Sequence, residues 1–291
     1  MKIFDWNLKT NLHINDNLIL CLGSFETLHK GHNELFKLAF DYTKTNSNYK
    51  SAILLFKNKI KDSKIIDNKA FQLKTRLYTL DALNFDYVFI SEYNDEIKNY
   101  DANLFINILK NNNVKAVVCG PDYKFGFNKK GDIKLLKKNF EVFVANEKKV
   151  NKQKISSTLI NQLIEEGNIH LINELLIDNY AFIVNVNEFI FEIPPKLNKL
   201  KNGIYIVNAV IKNVEYHGLC LINVTFTDES SYIQDNKLYL FDIDYVPNKY
   251  QEIFIEFLDA IRYTSNKAES LINNNDLEIA KKYFEILLEN D

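Results

Sequence analysis

Two histidines three residues apart, His29 and His32, stand in the segment Gly23-Ser24-Phe25-Glu26-Thr27-Leu28-His29-Lys30-Gly31-His32. An apolar run over residues 18–22 precedes it and reads as a buried strand; the run from Glu34 to Phe40 that follows reads as a helix. The histidines therefore fall where a strand hands over to a helix N-terminus. Free backbone N–H groups and the positive end of the helix dipole suit that place to phosphate. Imidazoles there can hold and polarise a phosphoryl group. On this motif alone a packing role for the two rings stays open. Zinc is the weaker reading, because no third ligand stands at usable spacing.

Two further segments carry possible chemistry. Lys154-Ile155-Ser156-Ser157-Thr158 opens a helical pattern that runs to Glu166. Serine and threonine at a helix start normally cap it. Three hydroxyls in a row behind a cation can equally hold the outer phosphates of a nucleotide. Gly120-Pro121-Asp122-Tyr123-Lys124-Phe125-Gly126 follows an apolar run ending at Cys119. Glycine and proline there have an ordinary turn explanation. An aspartate with two aromatics also suits a flat heterocycle, by hydrogen bonding and stacking.

The elements that must position these segments follow from the pattern. Strand-like runs at 18–22, 52–56, 87–90, 116–119 and 142–145 alternate with helical patterns near 33–44, 69–83 and 101–112. Continuous apolar strands separated by helices predict a doubly wound α/β domain with a parallel sheet, its ligand crevice at the carboxyl ends of the strands. His29/His32 and Gly120–Gly126 both follow such ends and are expected to share one cleft. Near residue 178 the texture changes. Short alternating runs at 182–186, 204–207, 219–224 and 238–241 predict an antiparallel barrel or sandwich, and 267–289 a closing helix. The domains are accordingly expected at 1–178 and 179–291. The Lys- and Asn-rich stretches near 57–69 and 147–154 read as exposed loops, and no internal repeat is evident.

Composition sets outer limits. The chain has 291 residues, 46% hydrophobic and 25% charged, as expected of a soluble globular protein. A net charge of -2 argues against a dominant electrostatic grip on nucleic acid. Lysine, asparagine and isoleucine replace arginine, glutamine and valine almost throughout, so individual surface lysines carry little weight. Three scattered cysteines, Cys21, Cys119 and Cys220, imply neither a disulfide framework nor a metal site and fit a cytoplasmic location. No signal peptide is read at the N-terminus, and no apolar run approaches the ~18 residues that span a bilayer. Oligomeric state is not legible.

Taken together and in this order, the three segments resemble the bacterial FAD synthetases, the two-module riboflavin kinase/FMN adenylyltransferase family. Its adenylyltransferase module carries Gly-x-Phe-Asp-Gly-x-His-x-Gly-His, Gly-x-Asp-Phe-x-Phe-Gly and Ile-Ser-Ser-Thr. The resemblance is strong over about residues 18–178 and weak beyond. It implies a nucleotidyltransferase domain followed by a smaller riboflavin-kinase-like β-barrel with a C-terminal helix. It also implies adenylyl transfer from ATP, carried with Mg²⁺, to FMN, giving FAD and pyrophosphate. His29 and His32 would be catalytic. Gly23, Ser24, Phe25, Gly31, Lys154, Ser156, Ser157 and Thr158 would bind ATP, and Phe56, Asp122, Tyr123 and Phe125 the flavin. No metal ligand is assigned.

The departures are specific. The family's Asp-Gly is Glu26-Thr27 here, its histidine after the second strand falls on Lys59, and arginines after Ile-Ser-Ser-Thr fall on Leu159 and Asn161. In the second half Gly203-Ile204-Tyr205 matches the kinase module, but residues 187–196 lack its glycine turn and Thr-x-Asn. The kinase's catalytic glutamate falls on Lys237, and Asp228, Asp242 and Asp244 are scattered carboxylates. A lysine cannot serve as general base beside a metal, so kinase activity is expected to be lost. The alternatives are a chain that is still bifunctional, a related nucleotidyltransferase acting on another phosphate acceptor, and a flavin- or nucleotide-binding protein without turnover.

Overall fold

The computed structural model describes all residues except 58–59, 62–63, 66–68, 151–152, 227–231, 248–249, 267–268 and 291. It divides into two compact units, residues 1–67 with 76–156, and residues 68–75 with 157–291.

The first unit is built on a six-stranded, wholly parallel sheet. Its strands are β1 (Lys2–Asp5), β2 (Asn17–Leu22), β3 (Tyr49–Phe56), β4 (Tyr87–Ser91), β5 (Val114–Cys119) and β6 (Glu141–Val144), in the spatial order β1-β4-β3-β2-β5-β6. Helices α1 (Lys30–Thr45), α2 (Leu73–Ala82) and α3 (Ala102–Asn111) connect β2 to β3, β3 to β4 and β4 to β5. The central strands are buried almost end to end because both faces of a parallel sheet are covered. Leu20 and Leu22 share a core with Leu54, Phe89, Phe105 and Val117.

The strand order fixes where a ligand can enter. From β2 the chain moves outward through β3 to β4, then crosses back to place β5 on the other side of β2. The loops leaving β2 and β5 diverge there, which is the switch-point crevice of open α/β sheets. Leu22 pairs with Cys119, so the histidine segment and Gly120–Gly126 begin side by side.

In the second unit, helices α4 (Ser157–Glu166) and α5 (Ile169–Leu175) precede a closed six-stranded barrel. Its strands are β7 (Ala181–Asn187), β8 (Ile190–Phe191), β9 (Gly203–Ile211), β10 (Val214–Ile222), β11 (Asn236–Leu240) and β12 (Gln251–Tyr263), in the order β7-β8-β11-β10-β9-β12. Strand β12 pairs with both β7 and β9 and closes the barrel. Inside, the Phe257 ring lies 4.9 Å from Phe182 and 5.6 Å from Tyr205. Gln72 acts as a short strand substitute: its side chain accepts from the Ile183 amide at 2.6 Å and donates to the Ile183 carbonyl at 2.9 Å. That bond pair places residues 68–75 with the barrel.

The closing helix α6 (Asn274–Asn290) starts at 274 rather than 267. Its start is fixed by a reciprocal cap: the Asn273 amide donates to Asp276 and the Asp276 amide to Asn273. Asp276 is fully buried and receives Nε and Nη2 of Arg262, both at 2.8 Å. Ala280 and Phe284 of the helix then cover Ile204, Ile206, Leu219 and Leu221. The stretches read as exposed loops contain two short antiparallel ladders, Ile60–Lys61 with Lys64–Ile65 and Lys149–Val150 with Gln153–Lys154.

Burial opposes ionisation of Asp276, but the Arg262 hydrogen bonds and the Asn273 amide outweigh it and hold its carboxyl below the usual range. Its stabilising effect is therefore present above the ordinary carboxylate pKa of about 3.9 and is lost as pH falls through the lower folded value. Asp276→Ala removes the cap and strands the Arg262 charge. It is expected to cost about 2–4 kcal/mol in urea unfolding at neutral pH. A cost below about 0.5 kcal/mol would contradict this role for the pair.

Candidate active site

At the carboxyl end of β2 the chain turns sharply. A Cβ on Gly23 would lie 2.8 Å from the ring of Phe25, so only glycine admits that ring. Phe25 itself has φ 43° and a side chain with no exposure. Its ring meets His32 edge-on at 4.9 Å and Phe36 at 5.6 Å. His29 is the N-cap of α1: its Nδ1 accepts from the His32 amide at 3.3 Å, and its carbonyl accepts from the same amide at 2.8 Å. This leaves the proton of the neutral His29 ring on Nε2. The two imidazoles stack with centroids 3.7 Å apart and planes 11° from parallel.

Burial dominates the protonation of this pair. His29 is 7% exposed, and its pKa falls to about 4 through desolvation, with the positive charge of Lys154 adding to the effect. His32 is driven well below the ordinary value by desolvation and by His29, against a hydrogen bond to the Thr27 backbone. Its Nδ1 is buried without a partner. Both rings are thus neutral at physiological pH. An unsatisfied ring nitrogen on the stacked pair is a site that an anion, together with a proton, would satisfy.

Lys154 links the three motif regions. Its ammonium lies 2.8 Å from Asp122 Oδ2 and 3.1 Å from Glu147 Oε1, and its charge reaches His29. Lys148 contacts Glu34 at 3.4 Å, which ties the same stretch to the second turn of α1. Asp122 is held below the usual carboxylate range by its Lys154 bond. Within the first unit the β2 and β5 loops thus begin side by side, and Lys154 joins Asp122 within electrostatic reach of His29.

The aromatic positions divide. Tyr123 is half-buried and stacks on Phe125 at 5.9 Å, while Phe125 is 8% exposed and packs on Phe105 at 5.4 Å. Gly126, at φ 73°, approaches the Ala102 backbone so closely that a Cβ would sit 2.9 Å from it. Phe56, at the end of β3, is half-buried against Tyr93 at 5.5 Å. Ser24 is exposed, and Gly31 lies against His29.

Ser156 belongs to the first unit; Ser157 and Thr158 begin α4 in the second. Asn161 donates to the Ser157 carbonyl at 2.7 Å and accepts from Asn198, so its bonds lie within the second unit. Lys59 and Asp228 lie outside the described residues.

One residue escaped the sequence reading. Arg76, 3% exposed, donates Nη1 to the Phe25 carbonyl at 3.0 Å and Nη1 and Nη2 to the Phe56 carbonyl at 3.3 Å. A signal was available: the chain keeps only two arginines, Arg76 and Arg262, among 36 basic residues. Both serve forked hydrogen bonding that lysine reproduces poorly.

Residues 12–159 match the family model described as FAD synthetase. The chain belongs to the FAD synthetase family. It is 30% identical to a bifunctional riboflavin kinase/FMN adenylyltransferase of Buchnera aphidicola subsp. Acyrthosiphon pisum, over 94% of this chain and 95% of that one. A protein of the same description from Haemophilus influenzae is 24% identical over 91% and 94%. A crystal structure described as a macrolide-efflux protein from Streptococcus pneumoniae has a TM-score of 0.81, 21% identity and 99% coverage of both chains. At that identity the likeness carries the fold alone. Among the described residues no helix is long and apolar enough to cross a membrane.

A depressed His29 pKa means that the unfolded chain binds more protons between about pH 6.5 and 4. The His29 contribution to stability is complete above that window and is lost as pH falls through it. An imidazole titration by NMR should place His29 near pH 4 in the free protein. A midpoint near 6.5 would contradict the desolvated pair.

Proposed function

We propose that this chain transfers the adenylyl group of ATP to the phosphate of FMN at the switch-point crevice of its first unit. The observation that carries this reading is the convergence of His29, Asp122 and Lys154, which lie far apart in sequence. A phosphate oxygen of FMN attacks the α-phosphorus of ATP, the bond to the β-phosphate bridging oxygen breaks, and pyrophosphate leaves. No enzyme nucleophile is required, so catalysis consists of positioning and charge neutralisation.

His29 Nε2–H would donate to the triphosphate. His32 Nδ1, unpartnered and enclosed, would take up a proton as the polyanion binds and then donate to it. Lys154 would exchange Asp122 and Glu147 for phosphate oxygens, which frees Asp122 for the flavin ring beside Tyr123. Phe56 and Phe125 would flank that ring, Phe125 by backing Tyr123. Backbone at Gly23, Ser24, Phe25 and Gly31 would admit the nucleotide closely, and the hydroxyl of Ser156 would serve the outer phosphates. Among the described residues no group of three His, Cys, Asp or Glu side chains is placed to cage a metal. Mg²⁺ would come with ATP.

We assign the adenylyltransferase module to residues 1–178 and a kinase module without kinase chemistry to 179–291. A cavity of about 260 Å³ in the second unit is lined by Pro194, Pro195, Lys196, Lys199 and Gln234 among others, and no lining residue carries a carboxylate or hydroxyl. Lys237 is exposed on β11. Neither feature supplies a carboxylate base for phosphorylating riboflavin. Three unpaired buried cysteines and a net charge of -2 support a cytoplasmic enzyme of small molecules rather than of nucleic acid.

Purified protein with ATP and Mg²⁺ should adenylylate FMN in preference to nicotinamide mononucleotide, phosphopantetheine and choline phosphate, as read by chromatography. Preference for another acceptor would overturn the flavin assignment. His32→Ala should lower turnover by about 10²–10³-fold, and wild-type turnover in that variant would remove His32 from catalysis. Calorimetry of ATP binding at pH 7 should show net proton uptake, seen as a heat that varies with the ionisation enthalpy of the buffer. A buffer-independent heat would contradict the proton-linked histidine pair.

A further inference from the structure

Arg76 is a buried cation with no carboxylate bound to it among the described residues. Its guanidinium is spent on two main-chain carbonyls, Phe25 at 3.0 Å and Phe56 at 3.3 Å. Its Nε is buried without a partner. Burial pulls its pKa down to about 10, and the charge of Glu26 opposes that shift. A fully desolvated guanidinium is costly when its partners are neutral dipoles, and α2 could place an apolar side chain there instead.

The two carbonyls identify what the charge does. Phe25 is the left-handed residue whose ring abuts His32, and Phe56 ends β3 on the proposed flavin side. Strands β2 and β3 pair from Asn17–Tyr49 to Cys21–Ile53, so Phe25 and Phe56 lie beyond the end of their ladder. Among the described residues no strand hydrogen bond joins the two loop starts there. We propose that Arg76 is a positioning residue that clamps the histidine loop to the end of β3 and so fixes His32 relative to the acceptor. This rests on the adenylyl-transfer reading for its effect on rate, but not for its effect on the loop.

The geometry assigns separate work to charge and shape. Arg76→Met keeps the bulk and removes every donor. Arg76→Lys keeps the cation and, through a shorter rotatable ammonium, one of the two carbonyls at a time. On full-length protein, with folding checked by thermal unfolding, Arg76→Met is expected to lower kcat by about 10–100-fold, the scale of a 1 Å misplacement. Arg76→Lys should recover a large part of that loss. Hydrogen exchange read by mass spectrometry should speed up over residues 23–32 in Arg76→Met and stay unchanged over β9 and β10. If Arg76→Met does not fold, the comparison of Arg76→Lys with wild type carries the test, with the same exchange change at smaller size.

Wild-type kcat and wild-type exchange over 23–32 in a folded variant would overturn the clamp. A uniform rise in exchange across the first unit would also overturn it, because it would mark general destabilisation. If the wild-type chain forms no FAD while the variant loosens residues 23–32, the clamp stands and the adenylyl-transfer reading falls.

Discussion

Everything in the first unit depends on one constraint: β2 lies between β3 and β5 in a sheet whose strands all run the same way. Parallel strands send their carboxyl ends to one edge. The histidine segment, the end of β3 and the Gly120–Gly126 turn must therefore rise together, whatever their separation in sequence. Apolar runs bury the strands, and the reversal of strand order opens the crevice.

The crevice is electrostatically prepared without being strongly charged. Its two imidazoles are stacked, buried and neutral, and Lys154 is occupied by two carboxylates. Fixed cations in an empty pocket would cost desolvation at all times. Neutral groups that gain charge with the ligand defer that cost until a polyanion is present to compensate it. In the proposed reaction the proton on His32 and the release of Lys154 are parts of substrate binding. The second unit rests on a different frame, in which β12 closes the barrel and the Arg262–Asp276 pair starts the helix that covers it. Neither device requires the residues of phosphoryl transfer, so that fold can outlast its chemistry.

The sequence was most legible where one physical signal acted alone. Continuous apolar runs marked the core strands β2, β3, β4 and β5, and alternation marked most of the barrel. Strand β12 was missed although Ile253, Ile255 and Phe257 alternate inward, because the apolar Phe254 and Leu258 on the outward positions blur the period. The start of α6 was placed seven residues early, since the cap at Asn273 depends on a buried aspartate held by an arginine from another strand. In the proposed site, the spacing of His29 and His32 was readable from the motif, but their stacking and neutrality arise from tertiary burial. Phe125 was read as a flavin contact from its type, and its packing on Phe105 was not visible in the motif. Arg76 acts through main-chain carbonyls, which leave no trace in the sequence, and only its rarity marked it.

The central claim is that this chain keeps the adenylyl-transfer half of the FAD synthetase family and works on FMN. The most direct measurement is chromatographic, with purified full-length protein, ATP and Mg²⁺ supplied in parallel with FMN or with riboflavin. The account predicts FAD from FMN and no flavin product from riboflavin. FMN or FAD arising from riboflavin would show an active kinase module and contradict the reading of the second unit. Absence of FAD from FMN would contradict the reading of the first.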